Sequence, residues 1–392
     1  MSDRFLREKY GLKETVIEDF SRKKADREDL KFWTDREEEV KDWISILEKS
    51  IKIQENFIAF IIGSYGRGKT LSLLKIIDEA EKNYVDSIFP VYLSFLGEEK
   101  PSKPGLDFIF RIFKSIDFDK LVRNRKYNDI TEAINKIPES FNESKNLFKV
   151  IYKKQLFLQK PATKDENAKM ALYFLRGEIK PTASQLKKLG IMRKIENIDI
   201  AKEYLAAILC FMKNLGYKAL LLSIDEFEYL FSLVSKSQYS IYLALLRGLY
   251  DFPMGLDISS DTLANMVLFI GISEDGWSKL QEIEKKEISE GGPTQPLMRR
   301  VDLKTTLLNF DKKNTEKLIK KILSYNRIAK KFEKNPLIPF TKDFVDYIYE
   351  LTEGLPSAVK VRCAQVLDAG IADRVSLLTK EYAQKVLEER GF

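Results

Sequence analysis

The 392-residue chain contains no histidine. That removes histidine-dependent acid–base chemistry and nearly every imidazole-built metal site. Cysteine is almost as scarce. Cys210 and Cys363 are the two present, each inside an apolar pattern of helical spacing. They read as buried thiols of an intracellular protein, not as a disulfide framework. Uninterrupted apolar runs stay far short of the ~18 residues needed to cross a bilayer. The N-terminal stretch MSDRFLREKYGLKE is charged and lacks an apolar segment, so no secretory leader and a cytoplasmic location are expected. Internal repeats and low-complexity segments are also missing.

What is present is core-forming material. Hydrophobic residues make up 44% of the chain, ample for a large interior, and the length suggests two or three domains. Charged residues reach 32% and the net charge is +7. The distribution of that charge says more than its size. Lys120–Lys194 holds 18 Lys/Arg against 7 Asp/Glu, a local +11, which leaves the rest of the chain at −4. A basic excess confined to one segment suggests an acidic partner, DNA being the favoured one, against the plainer alternative of a solvated lysine-rich surface.

The chain is organised around Phe57–Lys75, FIAFIIGSYGRGKTLSLLK. Phe57–Ile62 reads as a buried parallel strand. Gly63-Ser64-Tyr65-Gly66-Arg67-Gly68-Lys69-Thr70 follows, matching G-x-x-x-x-G-K-T, the P-loop pattern. Leu71, Leu73, Leu74, Ile76 and Ile77 then recur at helical spacing. At an average glycine usage of about 7%, the four fixed positions coincide by chance in about one chain in a hundred of this length. The glycines let backbone N–H groups approach a triphosphate, and the helix N-terminus adds a positive dipole end. Lys69 is expected on the β/γ-phosphates and the Thr70 hydroxyl on Mg²⁺. Ser64, Tyr65, Arg67 and Leu71 complete the candidate ATP-binding set.

Further strands are expected at Phe89–Phe95, Ala219–Ile224, Met266–Ile272 and from Val301 to Leu303 or slightly beyond. Before the P-loop strand, Thr34 or Asp35 is placed to cap a helix with carboxylates in its first turn. Between Gly97 and Gly216 only helical segments are legible. That is far longer than an ordinary crossover between parallel strands, so it reads as a helical insertion carrying the basic excess. Past Phe310 everything is helical. The expected organisation is a helical lead-in over 1–50, a P-loop core over 51–308 with an insertion at about 98–216, and a helical lid over 309–392. The fold class is α/β, a parallel sheet sandwiched by helices.

Asp225-Glu226 stands at the end of the third strand. An aspartate there can bind the hydrated Mg²⁺ held by Thr70, and a neighbouring glutamate can orient or deprotonate the attacking water. The plainer alternative is an ordinary acidic loop. Glu228 is too far along the turn for this work, and Tyr239, Tyr242 and Tyr250 have the spacing of core residues.

In the order of these elements the chain resembles AAA+ ATPases, especially the initiator-like branch with archaeal replication initiators and transposition ATPases. The resemblance implies a γ-phosphate sensor at the tip of the fourth strand, where Ser273 stands. It implies an arginine that completes a neighbouring subunit's site, for which Arg300 is the best-aligned candidate and Arg299 the second; both could instead belong to a solvated basic turn. The lid helix of such ATPases often begins Gly-x-Pro-Arg, whereas this chain reads Gly354-Leu355-Pro356-Ser357. The family arginine is therefore absent, and Lys360, one turn on, is the substitute. Phe174-Leu175-Arg176-Gly177-Glu178, Leu186–Gly190 and Gly216-Tyr217-Lys218 before IDEFEYL look like the ATP-binding proteins of BREX phage-defence systems. The chain stops about where the lid should end, so no winged-helix DNA reader is expected.

The resulting expectation is an ATP- and Mg²⁺-binding AAA+ ATPase that forms homo-oligomers and acts on DNA through the 120–194 insertion, with other proteins of its system as partners and no membrane. The alternatives are an ATP-gated scaffold that recruits effector proteins with little turnover, and a small-molecule P-loop kinase. Lys153, Lys154, Lys187, Lys188, Arg193 and Lys194 are the basic doublets to change first in testing a DNA surface on the insertion.

Overall fold

Phe57–Ile62 forms strand β1, and all six of its residues are buried. Apolar side chains on both faces of a strand require cover on both faces, which a parallel sheet flanked by helices supplies. The computed structural model describes residues 2–22, 24–95, 102–153, 165–233, 235–253, 256, 258–290, 294–328 and 335–389. The remaining strands are β2 (Ile88–Ser94), β3 (Ala219–Asp225), β4 (Asn265–Ile272) and β5 (Val301–Thr306). They form one sheet in the order β2-β3-β4-β1-β5. β2 pairs parallel with β3, Ser94 opposite Asp225, and β3 pairs parallel with β4. β3 and β4 are as fully buried as β1. β5 is an edge strand, and its exposed positions include Asp302 and Lys304, charges of the kind that guard a sheet edge.

By its contacts the chain divides into two compact units. One comprises residues 41–61 and 76–305 and holds the sheet and the insertion. Among its described residues, those between β2 and β3 are helical or irregular, with no strand. They include helices α1 (Pro104–Ser115), α2 (Asn142–Ile151), α3 (Glu166–Leu175), α4 (Ala183–Leu189) and α5 (Ile198–Asn214). Sequence signals set their ends. Asp165 caps α3, and Thr182 with Gln185 forms a capping box on α4. Gly190 closes α4 in the left-handed conformation, as glycine does best. α5 is buried continuously from Tyr204 to Met212. Phe211 stacks on Phe148 with ring centroids 5.2 Å apart, so the insertion has its own aromatic core. Tyr239 and Tyr242 are core residues of α6 (Lys236–Tyr250), as their spacing predicts.

The other unit comprises residues 1–40, 62–75 and 306–392. It contains the P-loop and the C-terminal helices α7 (Lys312–Tyr325), α8 (Lys342–Thr352), α9 (Pro356–Ala372) and α10 (Lys380–Glu389). Asp311 caps α7 through the Asn314 amide. The N-terminal lead-in is built into this unit. Leu6, Tyr10, Leu12, Val16 and Phe20 are buried in one cluster with residues of α7, α8, α9 and α10. Arg327 donates to the Tyr10 carbonyl at 2.7 Å and also to the Pro336 and Ile338 carbonyls, and burial draws its pKa down to about 10. Neither Thr34 nor Asp35 immediately precedes the helix. The helix starts at Glu37, Thr34 turns its hydroxyl to the Phe32 carbonyl, and Asp35 and Arg36 adopt positive φ.

Candidate nucleotide site

The P-loop takes the shape its glycines permit. Gly66 and Gly68 have φ of 86° and 94°, a region costly to any residue with a Cβ. The helix that follows begins at Lys69, with Thr70 as its second residue. Amide groups of a first helical turn have no acceptor in the helix's own ladder and point toward an incoming anion. Lys69 is 9% exposed and donates to the Gly63 carbonyl at 2.8 Å, which lays the ammonium across its own loop. Ser64 and Thr70 are partly exposed, whereas Tyr65 is 79% exposed.

Arg67 has a second task. Its Nε donates to Asn309 Oδ1 at 2.9 Å and its Nη1 to the Leu307 carbonyl at 3.2 Å. The carbonyl of Arg67 accepts from buried Arg36 at 2.9 Å, and Arg36 also donates to the Leu308 carbonyl at 3.0 Å. Burial lowers the Arg36 pKa, opposed first by Glu39. These bonds pin the loop to the segment after β5. The sequence reading missed Arg36; its position two residues past Thr34 reads as the start of a charged helix.

The lid helix α9 meets the loop directly. The Ser357 amide donates to the Gly66 carbonyl at 3.3 Å, and a Cβ on Gly66 would lie 1.9 Å from Ser357 Oγ. The position where the resemblance implied an arginine is thus packed against the loop backbone, and a small side chain fits there. Lys360 lies one turn further and lines a pocket beside Phe32, Trp33, Gly68, Leu71, Phe310 and Pro356. Burial lowers its pKa, with Asp29 the strongest opposing charge. This pocket is a mostly apolar slot adjoining the P-loop helix, with Asp29, Arg36, Arg67 and Lys360 in its lining.

Asp225 ends β3 at 2% exposure. Its Oδ1 accepts the Glu226 amide at 2.9 Å and its Oδ2 accepts the Tyr92 hydroxyl at 2.7 Å. Burial, then the Asp225 charge, raises the Tyr92 pKa far above its ordinary value, so the phenol remains a donor. Glu226 turns the chain in the left-handed conformation at φ 56° and ψ 41°, a strain of about 1–2 kcal/mol for a non-glycine residue. Phe227 then enters an aromatic cluster with Phe95, Phe95 stacks on Phe108 of α1, and both Phe95 and Phe108 contact Tyr242. Glu228 lies against Gly276, whose added Cβ would stand 2.8 Å from the Glu228 Cβ.

β1, β3 and β4 belong to one sheet, with β4 between the other two. Ser273 follows β4. Its Oγ accepts the Gly276 amide at 3.0 Å and so caps the helix α11 over Glu274–Glu290. The sensor candidate is therefore already engaged as a helix cap. Arg300 donates from Nε to Asp251 Oδ1 at 2.7 Å and from Nη1 to the Pro296 carbonyl at 2.7 Å. Arg299 is exposed. Of the basic doublets, Lys153, Lys187, Lys188, Arg193 and Lys194 are all exposed, and Arg193 pairs with Glu203 at 2.9 Å. Lys154 lies outside the described residues. Met192, between the doublets, is 88% exposed.

Among the described residues no cluster of three or more His, Cys, Asp or Glu side chains could hold a metal ion by itself. Asp225 offers a carboxylate and Thr70 a hydroxyl, donor types that Mg²⁺ accepts beside phosphate and water oxygens. No helix among the described residues is long and apolar enough to cross a membrane.

No curated protein matches this chain. Among solved structures, an Aeropyrum pernix ORC2 structure (ADPNP-ADP complexes) is 14% identical over 90% of this chain and 68% of its own, with a TM-score of 0.47. A Drosophila ORC chain from a complex with DNA is 13% identical over 96% of this chain, with a TM-score of 0.46; this chain spans 65% of that one. The Thermotoga maritima RuvB Holliday junction branch migration motor is 12% identical over 91–94% of this chain, with TM-scores near 0.41. The P-loop after β1 and the sheet order β2-β3-β4-β1-β5 make the fold that of an α/β P-loop NTPase. Residues 115–271, which run from the insertion through Asp225-Glu226 into β4, match the family model described as BREX system ATP-binding protein BrxC/D, and it is that family that the chain resembles.

Proposed function

We propose that the chain binds ATP with Mg²⁺ and hydrolyses it, and that nucleotide state governs its assembly or remodelling on DNA within a phage-defence system. The observation that carries the reading is the P-loop itself: Gly66 and Gly68 in backbone conformations reserved for glycine, leading into a helix that starts at Lys69. In this reading the loop amides and Lys69 hold the β/γ-phosphates. The pocket beside Phe32, Trp33 and Lys360 takes the base. Thr70 by the P-loop pattern and Asp225 by its place at a strand end are the residues assigned to Mg²⁺, which when bound neutralises charge on the phosphates. Glu226 orients and deprotonates the attacking water. Little else is asked of the protein, because phosphoryl transfer is catalysed mainly by positioning and charge neutralisation. Arg299, exposed at the turn before β5, is the arginine offered to a neighbouring copy, while Arg300 holds that turn through Asp251. The match to the BREX ATP-binding family supports the nucleotide and the defence setting.

The exposed doublets Lys187-Lys188 and Arg193-Lys194 support a DNA surface on the insertion. Lysine and arginine contacts to phosphate release counterions without reading bases. The test is equilibrium titration with a fluorescent ATP analogue, then phosphate release with and without duplex DNA. Wild type should bind and turn over, and Lys69→Ala should lose binding. Equal affinity in the two proteins removes the P-loop reading. Converting Lys187, Lys188 and Lys194 to Glu should weaken DNA binding and flatten its salt slope by about 0.9 for each lost duplex phosphate contact.

A second reading, an ATP-gated scaffold with little turnover, is favoured by Ser357 in place of a lid arginine. Tight ATP binding without phosphate release, in the presence or absence of DNA, selects it.

A further inference from the structure

Asp225 lies on β3 and Tyr92 on β2, its parallel neighbour. The register pairs Tyr92 with Ser223 and Ser94 with Asp225. Side chains two apart on a strand share a face, so Tyr92 and Asp225 are diagonal neighbours, about 7–8 Å apart at the backbone and within reach of a long side chain. The phenol spans that diagonal and donates to Asp225 Oδ2 at 2.7 Å. The other oxygen of the same carboxylate accepts the Glu226 amide. A carboxylate offers about four lone-pair sites on two oxygens. One on each oxygen is thus committed, and the two bonds together set the carboxylate plane. Phenylalanine would fill the same apolar space. The hydroxyl adds only a donor aimed at this oxygen.

We propose that Tyr92 is a positioning residue for the metal-side carboxylate: by donating to Oδ2 it fixes the plane in which Asp225 meets Mg²⁺ and its water shell. The inference rests on the nucleotide reading above and adds to it a residue on β2 that the P-loop and the acidic pair do not disclose. Partners that orient a metal-binding carboxylate matter about as much as the ligand, and their loss typically weakens metal binding or activity 10–100-fold.

The test uses the full chain, a non-hydrolysable ATP analogue and Mn²⁺ as a spectroscopic stand-in for Mg²⁺, with free Mn²⁺ read by electron paramagnetic resonance. Analogue affinity is measured separately without divalent cation. Tyr92→Phe should weaken Mn²⁺ binding about ten-fold and leave metal-free analogue affinity unchanged. In an Asp225→Ala background the same substitution should have no further effect, because the carboxylate it orients is gone. A Tyr92→Phe isotherm superimposable on wild type overturns the inference, and so does an equal additional loss in the Asp225→Ala background. Wild-type protein that binds neither analogue nor Mn²⁺ overturns the nucleotide reading and this inference together. Analogue binding with unchanged Mn²⁺ affinity overturns the inference alone.

Discussion

Gly66→Ala should strike the P-loop twice, and the two costs can be separated. The first is in the backbone. At φ 86° an alanine pays about 1–2 kcal/mol for the left-handed region. The second is steric. The new methyl would stand 1.9 Å from Ser357 Oγ and 2.8 Å from Ser357 Cβ, so the start of the lid helix must shift, at about 1–3 kcal/mol for overpacking of this kind. Together the change should cost about 2–5 kcal/mol, read as the midpoint of urea unfolding without nucleotide. Ser357→Gly removes the obstacle but not the backbone strain. Alone it should cost at most about 1 kcal/mol, the helix propensity of glycine. In the double variant it should recover about 1–3 kcal/mol of the Gly66→Ala loss, as a non-additive term in a double-mutant cycle. Additive costs would show that the loop and the lid helix do not touch, and a Gly66→Ala protein as stable as wild type would refute the strained-loop geometry itself.

Glu226→Gln should bind ATP normally and release no phosphate, since it removes the base but leaves Asp225; steady-state turnover near wild type assigns the base elsewhere. Arg299→Ala should spare ATP binding and abolish the rise of activity per subunit with protein concentration, whereas Arg300→Ala should lower the unfolding midpoint by breaking the Asp251 pair. A concentration dependence retained in Arg299→Ala discards that arginine. Burial pushes the Cys210 thiol up to about 11 and the Cys363 thiol higher still. At pH 8 only about one Cys210 in a thousand is then thiolate. Alkylation by iodoacetamide should be very slow in the native protein, quicken about ten-fold from pH 8 to 9, and become fast on unfolding; complete labelling of native protein within minutes contradicts the burial.

Local patterns carry most of what could be read early. Six apolar residues followed by a glycine loop and a helical repeat predict β1, the P-loop and the helix at Lys69, because strand and helix periodicities differ and glycine alone tolerates the turn between them. The burial of β3 and β4 follows from their uninterrupted apolar runs. Strand ends were less legible. β5 runs from Val301 to Thr306, a little beyond Leu303, and its end has no apolar run to mark it because polar residues alternate along an edge. The helix starts past Thr34 and Asp35 because the chain makes two positive-φ residues at Asp35 and Arg36 before the helix begins, and a short polar stretch does not announce that turn.

By itself, then, the sequence determined the P-loop pattern, the acidic pair at a strand end, the basic helical insertion and the buried core of the sheet, since each depends on residues close together in the chain. Tertiary structure alone decided which distant residues meet. It brought Tyr92 to Asp225 through strand register, Ser357 to Gly66 through the packing of the lid helix on the loop, and Tyr10 to Arg327 by folding the lead-in among the C-terminal helices. It also committed Arg300 to Asp251, 49 residues away. Those meetings rest on complementary shapes and charges between segments far apart in the chain, which no local spacing encodes.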